Sequence, residues 1–173
     1  CGPGPYGVLT LHRPANVDTE ASLRRAVGMM EEAASLLPIM FPAHPRTRKQ
    51  LLRYGLSRRV ESNSRITCME PMGYLTFLRL MKNASVVITD SGSIQAETSV
   101  LQIPCLTLRD TTEWTITVER GTNELVGLSI ERLMHCLRMI LSGRWKRGNL
   151  DTVWDGNTAG RCLDVILGWR DSR

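Results

Sequence analysis

The sequence has little of what several large protein classes require. No uninterrupted apolar stretch approaches the roughly 18 residues of a membrane helix, so no membrane partner is expected. Aromatic residues make up only 5% of the chain, which leaves few stacking platforms for single-stranded nucleic acid. The basic excess is modest, 22 Lys and Arg against 17 Asp and Glu for a net charge of +5. Such a balance permits an anionic ligand. The basic residues are dispersed apart from a denser stretch between Arg46 and Arg59, and no nucleic-acid partner is expected. The five cysteines are odd in number and form no CxxC pair. Cys68 and Cys105 sit in apolar, strand-like runs; Cys136 and Cys162 lie on helix-like ones. Reduced, buried thiols in a cytoplasmic protein are the reading, in preference to disulfides or a metal site.

What is present is ordinary for a folded domain. The 173 residues are 42% hydrophobic and 23% charged. By size scaling, a chain this long buries roughly 70% of its unfolded surface, enough for one domain or at most two small ones. Residues 1–6 open with Cys1-Gly2-Pro3-Gly4-Pro5, which suits neither helix nor central strand and reads as a linker or cut end. From Gly7 onward, short apolar runs alternate with amphipathic segments. Strands are expected at Gly7–Leu11, Pro38–Pro42, Ile66–Met69, Ser85–Thr89, Pro104–Leu108 and Glu124–Val126. Helices are expected after Asp18, from Arg46 to Tyr54 with Gly55 as the stop, and over Tyr74–Met81, Ile94–Leu101, Ile130–Leu141 and Thr158–Trp169. Continuous apolar strands, each followed by a helix, imply an α/β fold: a Rossmann-like, doubly wound parallel sheet with helices on both faces. Strand order is not legible in the sequence.

In such a sheet, ligands bind beyond the carboxyl ends of the strands. Polar residues collect there: His12-Arg13, Ala43-His44-Pro45, Glu70-Pro71, Asp90-Ser91-Gly92-Ser93 and Arg109-Asp110-Thr111-Thr112-Glu113. The Ser91-Gly92-Ser93 turn offers hydroxyls, and a helix start that favours an anion by about 0.3–1 kcal/mol per contact. It has neither the glycine spacing of GxGxxG nor the Lys-Ser/Thr ending of a Walker A loop. On pattern alone it is equally an ordinary strand-to-helix corner. Glu97 suits a ribose diol but alone reads as a helix-surface glutamate. Arg13 has the forked donors a diphosphate needs, and His12 suits proton transfer near neutral pH. Taken alone, His12 reads slightly better as a histidine hydrogen-bonded at a strand end. Tyr74 and Phe77 share a helix face, where an aromatic pair is more often core than base platform. His135, in mid-helix, reads as structural.

Taken together, Leu9-Thr10-Leu11-His12-Arg13-Pro14-Ala15-Asn16-Val17-Asp18, Phe41-Pro42-Ala43-His44-Pro45-Arg46-Thr47, Thr89-Asp90-Ser91-Gly92-Ser93-Ile94-Gln95-Ala96-Glu97 and Leu108-Arg109-Asp110-Thr111-Thr112-Glu113-Trp114 are distinctive. In that order they resemble the C-terminal half of the non-hydrolysing UDP-N-acetylglucosamine 2-epimerases, over about Gly7 to Leu167. The resemblance implies one half of a GT-B arrangement. It also implies interconversion of UDP-N-acetylglucosamine and UDP-N-acetylmannosamine by elimination and re-addition of UDP, in polysaccharide biosynthesis. No cofactor and no metal are implied, and the intact enzyme would be a homodimer.

Residue by residue, the resemblance makes His12 the active-site histidine, with Arg13 beside it in the UDP site. Ser91, Gly92 and Ser93 would hold the phosphates and Glu97 the ribose. Phe77 would lie beside the uracil and Met72 would line the base pocket. His44 matches a histidine that in some members contacts an allosteric UDP-N-acetylglucosamine. The chain departs from the pattern at Ser93, Ala96 and Trp114-Thr115-Ile116, where many members have Gly, Glu and Arg-Pro-Glu. The family's N-terminal domain, which carries the acid and base carboxylates, has no counterpart in this sequence. The chain alone is therefore expected to bind UDP and UDP-N-acetylhexosamines without turnover. The competing readings are the donor domain of a GT-B glycosyltransferase and a stand-alone UDP-sugar-binding module.

Overall fold

The computed structural model describes residues 4–150 and 154–170. Six strands form one parallel sheet: β1 (Gly7–Thr10), β2 (Ile39–Pro42), β3 (Ile66–Met69), β4 (Val86–Thr89), β5 (Cys105–Thr107) and β6 (Asn123–Leu125), in the order β3-β2-β1-β4-β5-β6. The expected α/β class holds, and the strands fall within a residue or so of the expected ranges. The order adds what the sequence withheld. The chain winds outward in one direction from β1 and in the other from β4, so these two neighbours form the topological switch point. Their register pairs Thr10 with Thr89, which brings the segments after each strand side by side.

The helices are α1 (Pro14–Val17), α2 (Glu20–Leu36), α3 (Pro45–Arg53), α4 (Ser57–Glu61), α5 (Tyr74–Lys82), α6 (Gly92–Val100), α7 (Thr115–Glu119), α8 (Ile130–Leu141) and α9 (Thr158–Arg170). The short α1, α4 and α7 were not legible, because four or five residues cannot display a helical period. Helix α6 begins two residues earlier than expected, at Gly92.

Two cores lie on opposite faces of the sheet. Helix α2 buries Leu23, Ala26, Val27, Met30, Ala33 and Ala34, and α8 buries Leu133, Cys136, Leu137 and Ile140. These pack with Leu9, Phe41, Ile88 and Leu106 from the strands. On the other face Val8, Val87, Leu80, Met81 and Ile94 form a smaller cluster with Tyr6, whose hydroxyl donates to the Leu80 carbonyl at 2.8 Å. Side chains buried to this degree contribute about 1.5–3 kcal/mol each before chain entropy is counted. Cys105 and Cys136 are buried as expected and Cys68 is half-buried, but Cys162 is exposed on α9. The periodicity of a helix cannot reveal whether anything covers it. Burial pushes the Cys105 thiol up to about 11, which leaves it unreactive. Among the described residues, no helix is long and apolar enough to cross a membrane.

Candidate functional site

Asp90 is the buried centre of the crevice. Its side chain is wholly inaccessible, so each carboxylate oxygen must find a partner. It finds several, all from the turn after β1. The backbone N–H of His12 donates to Oδ1 and Oδ2 at 3.1 Å each, and the N–H of Arg13 donates to Oδ2 at 2.9 Å. The Asn16 amide donates to Oδ2 at 3.2 Å and to the Leu108 carbonyl at 3.0 Å. Oδ1 lies 2.9 Å from His12 Nδ1. Burial alone would raise the Asp90 carboxyl. The His12 side chain and the N–H groups of Arg13 and His12 outweigh that and hold it below its ordinary value.

This geometry defines the imidazole. A carboxylate only accepts, so His12 Nδ1 carries the bonded proton. Nε2 is then the nitrogen free for a ligand. Neither Asp90 nor Asn16 was singled out from the sequence. Their role depends on β1 lying beside β4, and strand order was not legible.

The turn after Asp90 starts α6 without a side-chain cap. Ser91 occupies the cap position, yet its hydroxyl faces that of Ser93 at 3.2 Å. Its own N–H donates to Thr89 Oγ1 at 3.0 Å. The first N–H groups of a helix have no partner within it, so the α6 amino end presents amides and two hydroxyls together. Gly92 does not supply a positive φ here. It is needed for close approach: a Cβ would stand 2.6 Å from Glu113 Oε1 and 3.0 Å from Trp114 Nε1.

The expected site residues fall into three places. His12, His44, Met72, Phe77 and Ser91 line one cavity of about 180 Å³ at the ends of β1 and β2. The two imidazoles are 5.6 Å apart between centroids. His44 also has a local task, since its Nδ1 accepts from the Arg46 N–H at 3.1 Å and caps α3. Glu97 lies further along α6, in a mostly apolar cavity of about 620 Å³ with Tyr74, Leu78, Trp114 and Trp154. Burial raises its carboxyl. Tyr74 is exposed, whereas Phe77 is half-buried and packs against the smaller core.

Arg13 turns away from His12, into a third and polar cavity of about 550 Å³ beside Arg109 and Asp110. Its Nε donates to the Asp90 carbonyl at 2.9 Å, and its Nη2 lies 3.3 Å from Glu113 Oε1. Arg109 Nη2 holds the other Glu113 oxygen at 2.7 Å. Arg109 first, and Arg13 less strongly, hold the Glu113 carboxyl at about 2. A buried network secures this loop to α6. The Thr112 hydroxyl donates to Gln95 Oε1 at 2.7 Å, and Asn123 Nδ2 donates to the same oxygen at 3.0 Å. Trp114 packs edge-on against Trp154 with centroids 6.0 Å apart. Among the described residues, no group of three or more His, Cys, Asp and Glu is placed to hold a metal ion.

The profile of the family described as UDP-N-acetylglucosamine 2-epimerase matches residues 2–167. The UDP-N-acetylglucosamine 2-epimerase of Methanocaldococcus jannaschii is 43% identical over 164 residues, covering 94% of this chain and 44% of the relative. That of Methanococcus maripaludis is 38% identical over 165 residues, with the same two coverages. The crystal structure of the M. jannaschii enzyme in complex with UDP-GlcNAc and UDP superposes with a TM-score of 0.81 at 40% identity, covering 94% of this chain and 45% of that one. The chain thus spans less than half the length of the curated relatives it matches. With the profile matched along almost its whole length, the chain belongs to the UDP-N-acetylglucosamine 2-epimerase family.

Proposed function

We propose that residues 7–173 form the UDP-binding half of a UDP-N-acetylglucosamine 2-epimerase. The observation that carries this is the uncapped amino end of α6, with the Ser91 and Ser93 hydroxyls beside it and His12 held by buried Asp90 across the switch point. In this reading the diphosphate lies on the Gly92 and Ser93 amides and the two hydroxyls. The ribose hydroxyls meet Glu97, six residues further along α6 and therefore roughly 9 Å away along its axis. The uracil lies beside Phe77 and Met72.

In the reaction, a base takes the proton at C2 of the sugar and the C1–O bond breaks. The electron pair leaves with the diphosphate oxygen, giving UDP and 2-acetamidoglucal. Re-addition of UDP after protonation on the opposite face gives the epimer. His12 is oriented through Nδ1 by Asp90; in its doubly protonated form Nε2 donates to the departing diphosphate and stabilises the charge that develops there. The acid and base at C2 come from the other half of the enzyme. UDP has to stay bound between the two steps, which is why the phosphate grip is extensive.

Calorimetric titration of UDP, with CMP and GDP as controls, tests the binding half of this reading. Ser91→Ala and Glu97→Ala are each expected to weaken UDP roughly tenfold or more, the scale of one hydrogen bond to a charged group. Unchanged affinity in both variants, or equal affinity for all three nucleotides, would overturn it. Joining this chain to a matching N-terminal half is expected to restore conversion of UDP-N-acetylglucosamine.

A further inference from the structure

We infer that the cavity between α2, α8 and the segment after β5 is a second anion site, distinct from the α6 turn, that takes a phosphorylated small molecule. This inference is independent of the proposed UDP site. The cavity holds about 550 Å³, enough for a sugar phosphate, and four guanidiniums line it: Arg13, Arg25, Arg109 and Arg132. Asp110 is the only carboxylate in the lining.

These cations differ from the ion-paired arginines of the basic stretch. In the stretch from Arg46 to Arg59, Arg46, Arg48 and Arg59 each close an ion pair, with Asp18, Glu70 and Glu31. Among the described residues, Arg25, on α2, makes no ion pair or side-chain hydrogen bond. Arg132, on α8, reaches only Glu124 at 3.9 Å, at the limit of an ion pair. Arg109 spends Nη2 on Glu113, but its Nη1 is buried without any hydrogen-bond partner.

Arg25 of α2 and Arg132 of α8 thus converge on the cavity with free donor capacity, beside Arg109 from the loop after β5. A forked guanidinium matches phosphate oxygens two at a time. Arg13 connects the cavity to the α6 turn, since its neighbour His12 lines the other side of the switch point.

The test titrates inorganic pyrophosphate, and separately glucose 6-phosphate, into the full 173-residue chain while backbone amide shifts are recorded by NMR. Saturable shifts at Arg109, Asp110, Gly127 and Leu128 are expected, and they persist in Ser91→Ala. Arg25→Ala with Arg132→Ala is expected to weaken this binding by about a hundredfold, tenfold for each lost charged contact. Glucose 6-phosphate binding here as tightly as pyrophosphate identifies a sugar phosphate as the occupant; pyrophosphate alone identifies a free diphosphate. Shifts confined to residues 91–94, no saturable shift with either probe, or undiminished binding in the double variant would overturn the inference. The wild-type shift map stands whether or not the variants fold.

Discussion

Helices α6 and α8 both start just beyond the sheet's carboxyl edge, and both have serine at the cap position. They use it in opposite ways. Ser129 accepts from the Arg132 N–H at 3.2 Å, and Glu131 in the first turn complements the helix dipole. Ser91 caps nothing, no acidic residue follows in its first turn, and its hydroxyl joins Ser93. The α8 start is complete in itself. The α6 start leaves donors facing the crevice, backed by a buried carboxylate and an imidazole. A serine at a helix start can satisfy its own helix, as Ser129 does, or leave those donors to the crevice, as Ser91 does.

The largest test of the comparison removes the support behind α6. Asp90→Ala strands the N–H groups of His12 and Arg13, the His12 imidazole and the Asn16 amide together. It is expected to cost about 3–5 kcal/mol in urea denaturation. A loss below about 1 kcal/mol would mean that the carboxylate does not organise the crevice.

Next comes Gly92→Ala, which drives a methyl into Glu113 and Trp114. A cost of about 1–3 kcal/mol is expected, as for other overpacked sites. Weaker UDP binding should accompany it as the loop is displaced. Neutral behaviour in both assays would show that the loop yields freely.

Acid sharpens the same contrast. The Asp90 pKa is depressed in the folded state. Its contribution is complete above the ordinary aspartate value of about 3.9 and is lost as pH falls through the lower folded value. Melting temperature should therefore fall more steeply below about pH 4 in the parent than in Asp90→Asn. Parallel acid limbs would refute the assignment.

The smallest pair of effects is the most diagnostic. Ser129→Ala should cost about 1 kcal/mol, an ordinary cap loss, with UDP affinity unchanged. Ser91→Ala should alter stability by less than about 0.5 kcal/mol while weakening UDP. If the two serines exchange these signatures, the distinction between the helix starts collapses.

Much of the candidate site was legible because the residues proposed for it lie in short contiguous motifs. Ser91, Gly92 and Ser93 stand together after a strand, and Glu97 follows at a helical interval. What was not legible involved neighbours in space. Arg13 was grouped with His12 by sequence, but its side chain enters the cavity of Arg25, Arg109 and Arg132. Gly92 is demanded by the approach of Glu113 and Trp114, neighbours in space and not in sequence. His44 serves as the cap of α3 as well as lining the His12 cavity.

The alternation of apolar strand and amphipathic helix by itself determined the α/β class, because hydrophobic period is local and records which face is buried. The same locality placed the polar clusters at strand ends. Only the tertiary structure decided that β1 lies beside β4, that Asp90 clamps the His12 turn, and that arginines far apart in the chain converge on one cavity. These depend on strand order and on side-chain direction across the sheet, which arise from packing between segments and leave no periodic trace in any one of them.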